Sequence, residues 1–171
     1  METQVLYAAL FKTANDHLEA IMSDVTEEVA NWLPEGIVSS IGAQYVHIIT
    51  SEDAIVNLLL KGDAPMMATT YAGKIGTEEP PELFTWGQWG RTSPVNLEEA
   101  RTYAQAVYAS VNEYLATQTA DSLAEMVDLT SVGFGLMPRH VVLELALRQP
   151  YIHGGEISAV KGLQGLKGYP N

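Results

Sequence analysis

Nearly every segment of this chain repeats its apolar residues at spacings of three and four, and none alternates them at two. That is the helical period, so the chain has to bury its hydrophobic surface helix against helix. The first stripe, Tyr7, Phe11, Leu18, Met22 and Val25, predicts a helix from Thr3 to Asp24. A connector, TEEVANWLPEG, follows, punctuated by Pro34 and Gly36, with Trp32 expected to plug the end of the core. Ser39 and Ser40 can then cap a second helix that continues to Lys61 and Gly62. Asn96 and Glu99 form an N-x-x-E cap for a third helix to about Leu115, with Leu97, Ala104, Val107 and Val111 facing inward. Pro138 suits the first turn of a fourth, which carries RHVVLELALRQPYIHGGEISAVKG. Four long helices predict an all-α four-helix bundle.

The connections are unequal. Between the second and third helices lies GDAPMMATTYAGKIGTEEPPELFTWGQWGRTSPV, far longer than a simple return needs. Its aromatics Tyr71, Phe84, Trp86 and Trp89 either line or lid a pocket or seal the end of the bundle, and the sequence leaves both open. A second long connection, TQTADSLAEMVDLTSVGFGLM, precedes the fourth helix. Crossover loops of this length permit helix orders other than simple up-down-up-down.

A length of 171 residues predicts a single domain, 1–171, with a core that needs no staples. The net charge of −12, with nine scattered Lys and Arg, excludes nucleic acid as an expected partner, because phosphate backbones are held by clustered cations. No apolar run is long enough for a bilayer, so no membrane partner is expected. METQVLYAALFK lacks the basic-then-apolar order of a signal peptide, and there is no cysteine, which together point to a cytoplasmic protein. The missing cysteines also remove a thiol nucleophile, a disulfide and a thiolate metal site.

The histidines sort by helical arithmetic. His140 lies 13 positions before His153, about 140° around the axis and about 20 Å along it, too far to share a site. Gln149, one turn before His153, converges with it on a face continued by Val142, Ala146, Ile157 and Val160. His47 sits mid-helix on a small, polar stripe of Ser40, Gln44, Ser51 and Ala54, which leaves a niche around an imidazole. A lone helical histidine is more often a hydrogen-bonded core residue than a ligand, and His17, in line with Leu10, Thr13 and Ile21, is read that way.

The order TEEVANWLP, SIGAQYVH, WGQWGR and HGGEISAVKGLQGLKGYP resembles the DinB-like superfamily over nearly the whole chain. The resemblance implies a bundle with a long crossover, a homodimer, and a divalent metal held by three histidines. In some members it implies thiol-dependent transferase or isomerase activity. Carried over, His47 matches the second-helix ligand and His153 the last of an H-x-x-x-H pair, whose first member falls at Gln149. Glutamine offers only a neutral oxygen, so zinc or nickel is expected to bind weakly or not at all at His47, His153 and Gln149. Pro150 should kink the helix there, either repositioning Gln149 as a ligand or marking a relaxed remnant of the site.

Three functional readings follow. One is a metal-dependent enzyme acting on a small thiol or water, with catalytic residues unassigned. Another is a metal-free protein binding a small molecule in the same pocket. The last is a structural dimer with a vestigial site. Glu156 is placed either to orient the His153 imidazole or to cross-link helices, Gly154 and Gly155 to admit a close neighbour, and Arg91 to hold a substrate carboxylate or to stand in solvent.

Overall fold

The computed structural model describes residues 2–78 and 86–170. The long helices are α1 (Thr3–Met22), α3 (Ile41–Asp53), α5 (Leu97–Ala116), and the pair α7 (Arg139–Leu147) and α8 (Gln149–Leu163). Short helices α2 (Glu27–Asn31), α4 (Trp86–Thr92) and α6 (Ala120–Ala124) lie in the connections. The caps are those the sequence signals. Ser40 accepts from the Ala43 N–H, and Asn96 from the N–H groups of Glu98 and Glu99.

The second helix reaches Gly62 as expected, but its last two turns, Ala54–Lys61, are π-helical before Gly62 closes them with φ +77°. Periodicity cannot announce that widening, because the apolar density of AIVNLLLK suits either winding. The fourth helix divides where Pro150 predicts a kink: Pro150 has no N–H for the Ala146 carbonyl, and Arg148 joins α7 to α8. The second long connection holds a small antiparallel hairpin that the sequence reading lacks, β1 (Met126–Asp128) with β2 (Leu136–Pro138). At three residues each, the strands are too short to show alternation.

The rods form a ring in which α8 packs between α3 and α1, and α5 closes the other side against both. The first and second long helices therefore stand diagonally, an order that the long crossovers permit. The core between them is continuous, from Phe11, Leu18 and Ile21 on α1 through Tyr45, Ile48 and Ile49 on α3 to Tyr103 and Leu115 on α5 and Ile157 on α8. Cations close helix ends. Arg101 donates to the carbonyls of Met22 and Val25, the buried Lys161 to Ile21, and Arg139 to Leu60.

Trp32 does not plug the core. It follows α2 in extended conformation and is 39% exposed. Asn31 closes that end instead by trading two hydrogen bonds with the Val95 backbone, whose side chain packs over Gly42. Among the described residues, no helix is long and apolar enough to cross a membrane.

Candidate functional site

The α3–α8 contact brings His47 and His153 together. Their rings meet edge to face with centroids 4.8 Å apart. On the far side of α8 Gly154 eases the packing on α1, since a Cβ there would stand a tight 3.2 Å from the end of the Ile21 side chain. At Gly155 a Cβ would make only an ordinary contact, 3.7 Å from the Tyr169 hydroxyl.

Each imidazole is prepared differently. Burial, reinforced by the neighbouring His153, pushes His47 down to about 4, so that ring is neutral at pH 7. His153 places Nδ1 2.6 Å from Glu156 Oε2. The carboxylate accepts, so Nδ1 carries the proton and, in the neutral ring, Nε2 presents its lone pair. Glu156 is thus the orienting group that i, i+3 spacing allows.

Each histidine also has a glutamine one turn before it on its own helix. Gln44 Nε2 donates to the Ser39 carbonyl at 2.9 Å, and Gln149 Nε2 to the Leu145 carbonyl at 3.2 Å. Only the nitrogen of an amide can donate to a carbonyl, so both orientations are fixed. Both Oε1 atoms are buried without a hydrogen-bond partner among the described residues. The sequence singles out Gln149; Gln44 appears there only as part of the polar stripe.

Two cavities meet at the histidine pair. One, of about 430 Å³, is bounded by Ser39, Gln44, Trp89, Gly90 and Glu156. Gly90 is required there, because any Cβ would collide with the Ser39 side chain where α4 crosses the start of α3. The other, of about 390 Å³, opens on the opposite side beside Gln149, Ser51 and Ala54. Trp89 therefore lines a pocket, while Tyr71 packs on Tyr103 with centroids 5.4 Å apart. Phe84 and the Trp86 side chain lie outside the described residues. Arg91 donates to the carbonyls of Pro34 and Val38 and pins that loop. His17 stacks against Tyr151 and Tyr169, and His140 Nδ1 donates to Leu123, both away from the pair.

The donor set bears on a divalent ion. Two imidazoles sharing one ion at N–metal distances of about 2 Å have ring centres about 5 Å apart, which the observed pair matches. A third strong donor is missing: among the described residues, no three His, Cys, Asp or Glu side chains are grouped to hold a metal. The unpartnered amide oxygen of Gln149 is a neutral substitute. The set fits a weakly held ion rather than a tightly bound zinc.

A family model described as the DinB superfamily matches residues 10–157. A conserved protein from Enterococcus faecalis, solved by crystallography, superposes with a TM-score of 0.78 at 19% identity, over 95% of this chain and 97% of that one. At that identity the likeness concerns the fold. No curated protein matches the chain.

Proposed function

The chain belongs to the DinB superfamily, and from that premise we propose that it binds a small molecule at a weak divalent-metal centre made of His47, His153 and Gln149. The activity class that goes with this reading is thiol-dependent transfer or isomerisation. The observation that carries it is the edge-to-face histidine pair, with one ring kept neutral by burial and the other fixed by Glu156. A bound zinc or nickel ion would supply Lewis acidity toward a thiol or water. The chain's own part is to hold both imidazoles as acceptors, to offer the Gln149 oxygen, and to enclose the reactants between Trp89 on one side and the hairpin connection on the other.

Metal analysis of protein purified without a histidine tag, followed by calorimetric titration with zinc and nickel, tests the reading. Binding with a Kd on the order of 1–100 μM, abolished by His47→Ala or His153→Ala, is expected. Absence of binding below about 1 mM would overturn it. A metal-free reading is favoured by one observation, the two buried amide oxygens of Gln44 and Gln149 flanking the pair, which could receive donors from a ligand directly.

The accompanying assembly is a cytoplasmic homodimer of single-domain bundles. Val5, Leu6 and Leu10 on α1 and Tyr151 and Ile152 on α8, all exposed, offer the apolar surface for it. Light scattering should give twice the chain mass of 18.6 kDa.

A further inference from the structure

The two cavities at the histidine pair are chemically unlike, and the one beside the π-helical turns carries its own information. Its walls are Ile55, Leu58 and Leu59 from 54–61, Val132 and Phe134 from the hairpin connection, and Leu145 from α7. Leu58 and Phe134 are 43% and 47% exposed, so the cleft leaves large apolar side chains open to solvent. Hydrogen bonding from residue i to i+5 widens the helix here, and such turns recur at functional sites.

One cation stands among these walls. Of the four arginines, Arg91, Arg101 and Arg139 spend their guanidinium groups on main-chain carbonyls. Arg148, which lines the cleft at the α7–α8 joint, makes no side-chain hydrogen bond or ion pair among the described residues, although Glu144 stands one turn before it. In a chain of net charge −12, an uncommitted guanidinium beside an apolar cleft selects for an anion with an apolar body.

We infer that this cleft is the binding site for a small apolar carboxylate, with its hydrocarbon part against Leu58, Leu59, Val132 and Phe134 and its carboxylate at Arg148. The volume of about 390 Å³ accommodates an acid of medium chain length. The inference rests on the proposed function only in naming the second reactant of the same site, since the cleft shares His47, Gln149 and His153 with the metal centre. Binding itself needs no metal.

The test is calorimetric titration of the full chain with octanoate and with octan-1-ol, in EDTA throughout, so that the outcome is independent of whether His47 and His153 hold an ion. Octanoate should bind saturably with a Kd below about 1 mM. Arg148→Gln should weaken octanoate about fivefold and leave octan-1-ol unchanged. Leu58→Asn and Phe134→Ser, both at exposed positions, should weaken both ligands about tenfold. Absence of saturable octanoate binding, or unchanged octanoate affinity in Arg148→Gln, would overturn the inference while leaving the zinc titration free to succeed. Conversely, failure of zinc to bind would leave the octanoate result intact.

Discussion

Helix α3 carries two polar regions, one at its C-terminal end and one around its midpoint, and they treat hydrogen bonds in opposite ways. At its C-terminal end Asp53 is fully buried, and its carboxylate accepts from Asn57 Nδ2, the Tyr103 hydroxyl and the backbone N–H groups of Met66 and Met67. Every donor is the protein's own, so this is a knot that ties the start of the long crossover to α5. Around His47 the same helix leaves the Gln44 oxygen unpartnered, beside a cavity, and α8 leaves the Gln149 oxygen likewise. Glu52 lies next to the knot and has one oxygen without a partner among the described residues, yet it is fully buried and lines neither of the two cavities at the histidine pair. What separates a structural polar group from a candidate binding group is therefore access, not satisfaction alone.

Glu52 gives the largest test of that contrast. Complete burial raises its carboxyl to about 8, with the Asn15 hydrogen bond opposing and the Asp53 charge adding to the rise. The folded pKa lies above the unfolded one, so its stabilising contribution is full below about pH 4.5 and is lost as pH rises through about 8. Chemical unfolding across that window should show a loss on the order of 5 kcal/mol that Glu52→Gln flattens. An identical pH profile in the variant would mean that Glu52 has an outlet to solvent.

Asp53→Ala comes next, at about 4 kcal/mol of lost stability by urea unfolding, because it strands Tyr103, Asn57 and two amides at once. A loss below about 1 kcal/mol would mean that the knot is replaceable by water.

On the other side of the comparison, Gln149→His should raise zinc affinity about 100-fold by completing a third imidazole, and His153→Ala in that background should erase the gain. Equal affinity for wild type and Gln149→His would show that position 149 does not face the ion.

The smallest effect is expected from His47→Ala, whose unfolding free energy should fall within about 1 kcal/mol of wild type even though ligand binding is lost. A cost as large as that of Asp53→Ala would make the histidine pair a structural contact like the knot.

Much of the fold was legible because helix ends and helix faces are local. Ser40, Asn96, Gly62 and Pro150 each announce a boundary through their own backbone chemistry, and the apolar stripe of α1 needs no tertiary knowledge. The meeting of His47 and His153 was expected from the polar stripe, the inward face of the fourth helix and the resemblance, whereas the spacing of Glu156 left open whether it would orient His153 or cross-link helices. The π-helical turns, the hairpin and the direction of Trp32 were not legible. Each depends on which neighbour competes for the same space: Asn31 and Val95 displace Trp32, and two three-residue strands leave no period to detect. Arg148 was invisible for a related reason, since it is singled out only after the other arginines are seen to be occupied.

The joint between α7 and α8 has a mechanical consequence. Gln149, Glu156 and His153 all lie beyond it on the one helix α8, whereas Leu145 lies before it on α7. With Pro150 contributing no backbone donor at the bend, the Gln149 amide, which reaches back to the Leu145 carbonyl, acts as a strut across it. A small rotation about Arg148 would change the gap between His153 and His47 while leaving the geometry within α8 untouched.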